Sequence, residues 1–343
     1  MTDTLMTNVD REELHLLLRG FEVSRMLRLI ADLGVADRIP TDGHVTVQDL
    51  AASCAVLPEP MLRVLRALAA FRIFQVTVEG TVAHTSRSRL LRTDTPNSMH
   101  YAARFCTGPG SWNAWGMLDV AMKGGIPQEA AWNMDRFTYL RQHPDEASVF
   151  DAMMANFPDN RHAAVAVAYD FSSAGLIADI GGGNGAALRH ILARFPAPRG
   201  LVFDREDVID ALTPEQLMQG RIAIRGGSFF DHVPSGADIY MLIFVLHDWP
   251  DEDCVRILRT CRAAMGSHSL LLLGERMLEP DPARGRPTDY LIDVHMMAMY
   301  GGRQRTEVEF RALFDQSGFS LRRVISTASP ISIIEAAPIA APS

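Results

Sequence analysis

His247, Asp248 and Trp249 form a run, Val245-Leu246-His247-Asp248-Trp249-Pro250, directly after the apolar stretch 238–244, which reads as a strand. Imidazole titrates near neutral pH and can take a proton from a hydroxyl. In an open α/β sheet, ligands lie outside the carboxyl ends of the strands, which puts His247 on the functional edge. A lone loop histidine is usually a surface residue. Beside an acid and an indole at a strand end, it reads as a general base. Asp248 or a more distant acid can fix its tautomer. Glu275 follows another apolar run, 269–274, again at a carboxyl end.

A second chemical feature is LIADIGGGNGAAL, residues 176–188. A short apolar run reaches Asp179, then Gly181, Gly182, Gly183 and Gly185, and a helix-forming stretch follows. Strand, glycine turn and helix let a nucleotide-like ligand approach the backbone. Glycine permits positive φ there and leaves room for the ligand. The spacing D-x-G-x-G-x-G differs from the dinucleotide form G-x-G-x-x-G. Asp179 can hold a ligand's ammonium group, or bond turn N–H groups. Asp204 ends the next strand, about 20 residues on, where an acid can accept both hydroxyls of a ribose or cap the next helix. A metal set of His247, Asp293 and His295 lacks diagnostic spacing, because i and i+2 point to different helix faces. No metal is expected.

These residues need a frame. Strands are expected at 176–180, 200–204, 221–225, 238–244 and 269–274. Helices are expected at 185–195, 206–212, 251–265, 288–299 and 307–317. Such alternation implies a parallel sheet covered on both faces. Two more β-patterned stretches, 319–326 and 331–336, are joined too tightly to be parallel neighbours and should pair antiparallel. The Ala/Pro tail after Glu335 is expected to be disordered.

Upstream, residues 1–10 are polar and expected to fray. Apolar residues from Glu12 to Leu33 recur at helical spacing on both sides, with Gly34 as a stop. So much apolar surface must be buried in the same domain or in a partner subunit. Thr46 and Asp49 resemble a capping box, Pro58 and Pro60 open a helix to Phe71, and Phe74 to His84 alternates as a hairpin. That order is a winged-helix pattern. Its third helix offers only Arg63 and Arg66 for base contacts, so a structural or dimerising role is favoured over DNA binding. Residues 97–170 read as helical and rich in aromatics, either a helical core or the wall of an aromatic-ligand pocket.

The chain has 343 residues, a prior for about two domains. It is 48% hydrophobic and 22% charged with formal net charge −8, and it has no dense Lys/Arg cluster, which disfavours nucleic acid as a partner. Its four cysteines show no CxxC or zinc spacing, and Cys254 and Cys261 share one helix face. With no signal pattern and no membrane-length apolar run, a cytoplasmic setting without membrane association is expected.

DIGGGNG at 179–185, Asp204, GGSFF at 226–230, HDWPDEDC at 247–254, GERMLEP at 274–280 and GGRQRTEVEF at 301–310 together resemble a known family. It is the S-adenosylmethionine-dependent O-methyltransferases of small aromatic molecules, which include plant caffeate and flavonoid enzymes and bacterial antibiotic-tailoring ones. The resemblance covers nearly the whole chain. It implies an α/β fold, with a Rossmann-like seven-stranded sheet and an N-terminal winged-helix dimerisation domain. The implied divisions are 1–100 for dimerisation, 101–170 for a helical linker and pocket layer, 171–337 for the methyltransferase domain and 338–343 for a tail.

By the same resemblance, Gly181 and Gly183 line the methionine and ribose of S-adenosylmethionine. Asp204 binds the ribose hydroxyls, while Ser228, Phe229 and Phe230 lie along the adenine. His247 is implied as the base that deprotonates the acceptor hydroxyl, held by Glu275. The family's second acid at the histidine corresponds here to Gln304. Ser228 replaces an aspartate, and Ile243 replaces a lysine of the plant enzymes. Phe150, Met154, Phe157, Asp248, Trp249, Met296, Met299 and Tyr300 are the expected acceptor pocket, between the helical layer and the sheet edge. A homodimer is implied. The sequence around DREDVIDAL, DIYMLIFVLHDW and DVHMMAMYGGRQRT is most similar to phenazine-type and polyketide-tailoring members, which implies a flat, fused-ring acceptor. Three readings stand beside this: N- or carboxyl-methylation, a nicotinamide-dependent oxidoreductase, and a winged-helix regulator with a ligand-sensing domain.

Overall fold

The computed structural model describes residues 2–155 and 161–339. The chain divides into two compact units, Met1–Gly116 with Arg136–Pro158, and Met117–Asp135 with Asp159–Ser343. The stretch 101–170 is shared between them.

In the first unit, α1 (Thr2–Leu18) and α2 (Gly20–Asp32) replace the single helix expected over 12–33. The break falls at Arg19, whose ψ of 4° is not helical, ahead of Gly20, the weakest helix former in the run. Residues 2–10, expected to fray, belong to α1. Gly34 has φ 61°, the left-handed stop that its position called for. Thr46 caps the helix Val47–Ser53 by accepting the N–H of Asp49. Pro58 opens the helix Pro58–Ala70, where the missing proline N–H is no loss.

Three short strands follow the winged-helix pattern: β1 (Val45–Thr46), β2 (Phe74–Val76) and β3 (Thr81–His84), with β3 between the other two. Leu65, Leu68 and Val82 are fully buried in this unit's core. Farther on, the helices Arg136–Gln142 and Pro144–Ala155 are tied together by a bond from the Tyr139 hydroxyl to Glu146. Arg136 lies beneath them, its guanidinium 4.8 Å from the Phe105 ring centre.

The second unit is built on seven strands. They are β4 (Leu176–Ile180), β5 (Arg199–Asp204), β6 (Ile222–Gly226), β7 (Ile239–Ile243), β8 (Leu270–Glu275), β9 (Phe319–Ser326) and β10 (Ser332–Pro338). Their order is β6-β5-β4-β7-β8-β10-β9. The first five are parallel, and β10 runs antiparallel to both β8 and β9. Chain order reverses between β4 and β7, the switch point where such sheets bind ligands.

Both faces are covered, so the central strands are apolar throughout. Along β7, Tyr240 and Leu242 face the helices Asp251–Ala264 and Glu307–Ser317, while Met241 packs on the opposite side with Val165, Leu188 and Ile191. Cys254 and Cys261 are fully buried on one helix face, and burial pushes both thiols up to about 12. The tail expected after Glu335 is instead strand through Pro338, with a register shift between Glu335 and Ala336 and a buried Ala336. The remainder, 340–343, lies outside the described residues.

Candidate active site

The glycine turn after β4 has Gly181, Gly183 and Gly185 at φ 70°, 53° and 73°, a region that only glycine enters freely. At Gly181 an added Cβ would lie 2.9 Å from Val245 and 3.6 Å from Phe229, so this turn touches both neighbouring segments of the site. At Gly183 it would meet nothing within 4 Å. The open side of the turn is therefore at Gly183.

Two carboxylates flank the turn. Asp204 accepts the N–H of Gly183 and of Arg205, each at 2.8 Å, one on each oxygen. It bonds the turn and opens the next helix, and each oxygen keeps a second lone pair for a ligand hydroxyl. Asp179 is buried beneath Gly182, and its Oδ2 has no partner. Burial, and then the charge of Asp204, push its carboxyl up to about 7. A buried carboxylate without a donor is costly, and these two acids beside an open glycine turn suit a ligand with an ammonium group and ribose hydroxyls. The residues present thus fit S-adenosylmethionine.

Along the same edge, Ser228 accepts the N–H of Phe230 through its hydroxyl. Phe229, Phe230 and Trp249 form one aromatic cluster, with Trp249 edge-on to both rings at 5.9 and 4.8 Å. Arg256 covers Phe230 from 4.8 Å. Trp249, expected in the acceptor pocket, is thereby packed against the segment expected along the adenine.

His247 sits on a short 3₁₀ turn, Leu246–Asp248, beyond β7. Its Nδ1 lies 2.7 Å from Glu275 Oε2. Glu275 is buried at the end of β8, and its other oxygen accepts the N–H groups of Val245 and Leu246 at 3.2 and 2.9 Å. One carboxylate thus holds both the histidine ring and the backbone that carries it. With Nδ1 as the donor, the lone pair of His247 is on Nε2. Asp248 Oδ1 lies 3.4 Å from that nitrogen.

Burial alone would lower the imidazole, but Glu275 and Asp248 outweigh it and raise His247 above its ordinary value, against an opposing push from Arg161. Burial brings the Asp248 carboxyl to about 6, with His247 holding it down and Glu275 adding to the rise.

Two further residues, to which the sequence alone assigns no role, support this turn. Arg305, 1% exposed, donates to the carbonyls of Leu246 at 2.9 Å and Trp249 at 2.8 Å, and pairs with Asp251. Phe244 holds a left-handed backbone at φ 57°, unusual for a bulky side chain, and its ring meets His247 edge-on at 5.4 Å. Contacts more than 50 residues apart in the chain leave no local pattern to read. The turn around Gly302 lies against the His247 backbone so closely that a Cβ would be 2.1 Å from the His247 carbonyl oxygen.

Gln304 is buried, its N–H donated to Asp293 at 2.7 Å and its Oε1 without a partner. Asp293 therefore serves the backbone of this turn. Among the described residues, no group of three or more His, Cys, Asp or Glu is placed to hold a metal. On the helix Pro287–Tyr300, Met296 and Met299 are buried and Tyr300 is half-buried. In the first unit, Phe150 packs against Phe105 with ring centres 5.0 Å apart, and Met154 is half-buried on the same helix. Phe157 lies outside the described residues.

Comparison with known proteins bears directly on this arrangement. Residues 115–320 match the O-methyltransferase domain family, and 15–94 match the O-methyltransferase dimerisation domain. The phenazine O-methyltransferase of Lysobacter antibioticus is 36% identical over 94% of this chain and 95% of its own length. The O-demethylpuromycin-O-methyltransferase of Streptomyces alboniger is 36% identical over 96% of this chain and 89% of its own. A crystal structure of an O-methyltransferase from neocarzinostatin biosynthesis, in complex with S-adenosylmethionine and 2-hydroxy-5-methyl naphthoic acid, superposes with a TM-score of 0.80 at 28% identity, covering 92% of this chain and 96% of that one. With the glycine turn, the two acids beside it and the Glu275-held histidine in place, the chain belongs to the S-adenosylmethionine-dependent O-methyltransferase family and carries both its catalytic and its dimerisation domains.

Proposed function

We propose that this enzyme methylates a hydroxyl on a small, fused-ring aromatic acceptor of the phenazine or polyketide kind. The observation that carries the reading is the 2.7 Å contact between Glu275 and Nδ1 of His247, which leaves Nε2 as the base. A phenol has a pKa near about 10 and gains from a base at neutral pH. Relatives that act on phenazine and puromycin skeletons support the aromatic class.

Bound S-adenosylmethionine supplies a methyl group already activated on a sulfonium. The chain's own residues must bind, orient and deprotonate. Asp179 and the glycine turn, with Gly181 and Gly183, hold the amino-acid end, Asp204 takes the ribose hydroxyls, and Ser228, Phe229 and Phe230 flank the adenine. His247 Nε2 accepts the hydroxyl proton, and Glu275 steadies the imidazolium that results. Gln304 orients without adding charge. Within the second unit, Asp248, Trp249, Met296, Met299 and Tyr300 are the acceptor contacts we propose.

The enzyme works as a homodimer. Leu17, Leu18 and Phe21 of α1 and α2 are 77%, 68% and 57% exposed on a single chain, an apolar strip that calls for a partner. No described helix is long and apolar enough to cross a membrane. Its four unpaired cysteines suit a reducing cytoplasm.

The test is a screen of phenazines, hydroxynaphthalenes and polyketide phenols with S-adenosylmethionine, read by mass shift and by the position of the new methyl. His247→Ala should lose about 100-fold or more in O-methylation while still binding S-adenosylhomocysteine. Unchanged turnover in that variant, or a methyl found only on nitrogen or carboxylate, would overturn the reading.

A further inference from the structure

We propose that Phe244 is a positioning residue for the base: its left-handed backbone presses the phenyl ring against the His247 imidazole and keeps Nε2 turned to the acceptor hydroxyl. This rests on the reading of His247 as the base and deepens it.

Side chains alternate along β7. Tyr240 and Leu242 join the core on one face of the sheet, and Met241 and Ile243 pack on the other. Continued alternation would return residue 244 to the first face. Phe244 instead packs on the side of Ile243, and Val245 takes the place on the first face. The backbone at Phe244, with φ 57°, makes this switch. A bulky side chain holds that conformation only where its surroundings impose it, most often at functional sites. Here the end of β8 imposes it. Phe244 donates its N–H to the Gly274 carbonyl at 3.0 Å, and a Cβ on Gly274 would lie 3.1 Å from Ile243, so the two strand ends have no slack. The next residue, Glu275, holds Nδ1 of His247 at 2.7 Å. Two successive residues of one strand thus fix both the phenyl group and the imidazole.

A single hydrogen bond is a pivot. Held at Nδ1 alone, the imidazole can tilt about that bond and swing Nε2 away from the acceptor. The Phe244 ring closes one side of the swing, with ring centres 5.4 Å apart and planes at 61°, the spacing of an edge-to-face pair. The phenyl group is itself backed by Arg161, whose guanidinium carbon lies 4.1 Å from its centre. Asp248, at 3.4 Å from Nε2, is beyond ordinary hydrogen-bond length and does not hold the ring plane. A side chain that only filled apolar space would need neither a ring nor a left-handed backbone. A base needs its lone pair aligned, since a misplacement of about 1 Å costs about 100-fold in rate.

Three variants separate positioning from packing. Phe244→Leu keeps apolar bulk without the flat ring, Phe244→Asn suits the left-handed backbone without the ring, and Phe244→Tyr keeps the ring. Each is crystallised with S-adenosylhomocysteine and assayed with S-adenosylmethionine and 1-hydroxyphenazine. In Phe244→Leu and Phe244→Asn the imidazole should tilt by more than about 20° from its wild-type plane. Their kcat should fall about 30-fold with KM within about threefold of wild type, the mark of an interaction used in the transition state. Phe244→Tyr should restore kcat to within about threefold of wild type. An imidazole unmoved in both ring-less variants, kcat within about threefold of wild type in either, or an equal loss in Phe244→Tyr overturns the proposal. If Phe244→Leu does not fold, Phe244→Asn decides by the same measures; if neither folds, the residue serves packing and the proposal falls. A tilted imidazole in the variants, with no methyl placed on oxygen by wild type, would sink O-methylation and leave the positioning contact standing. O-methylation by every variant at the wild-type rate does the reverse.

Discussion

Glu275 holds His247 from two directions at once: one oxygen is 2.7 Å from Nδ1, and the other accepts the N–H groups of Val245 and Leu246. The ring and the turn that carries it cannot shift independently. Substituting Glu275→Gln keeps the shape but removes the charge. Glu275 raises His247, so its loss should move the acid limb of the kcat/KM profile to lower pH. The imidazolium formed in the reaction would also lose its counter-charge, so maximal kcat should fall about 10- to 100-fold. A pH–rate profile of both enzymes checks the two effects together.

Gly302 is a second point of rigidity. An alanine methyl there would sit 2.1 Å from the carbonyl oxygen of His247 and 2.5 Å from the carbonyl carbon of Asp248, both backbone atoms with no freedom to yield. Gly302→Ala should push the histidine turn out of place, lower kcat about 100-fold and lower Tm by several degrees. Steady-state kinetics and a thermal melt measure these directly.

Asp179 links proton binding to stability. Its carboxyl is raised to about 7 in the folded chain, first by burial and then by Asp204, against about 3.8 when unfolded. The folded state therefore binds the proton more tightly, and ligand-free protein should lose stability as pH rises from about 4 through 7. Asp179→Asn should flatten that slope and melt higher than wild type at pH 8. The same variant should bind S-adenosylhomocysteine about 10-fold more weakly, because the ammonium loses its acid. Melting curves across pH and a binding isotherm test both signs.

The exposed apolar strip on α1 and α2 is the dimer interface we propose. Replacing Leu17 and Phe21 with glutamate would bury charge in any interface built on that strip. The double variant should elute as a monomer where wild type elutes as a dimer, with light scattering supplying the masses. A dimer that survives the change would place the interface elsewhere.

Strands and helices of the second unit were legible because each lies in one local pattern. The runs 238–244 and 269–274 match β7 and β8 within about a residue at each end, since strands buried on both faces are apolar throughout. His247 was legible from its place at a strand end, and Asp204 from its distance to the glycine turn. What escaped depends on contacts between distant segments. Arg305 lies 59 residues from Leu246 in the chain, yet it fastens Leu246 and Trp249. Phe244 gives no hint of its left-handed backbone. At the chain ends the error was of another kind: Ala336 to Pro338 look like tail by composition, but strand pairing with β9 overrides a weak propensity.

Trp249 gives the site an internal fluorophore. Its indole stands edge-on to Phe229 and Phe230, with the Arg256 cation over Phe230 and with Phe229 beside the glycine turn. A purine entering along those rings would alter the polarity around the indole and, by stacking, quench its emission. Occupancy of the donor site can thus be followed in unlabelled enzyme, with Trp249→Phe as the silent control against the chain's other three tryptophans.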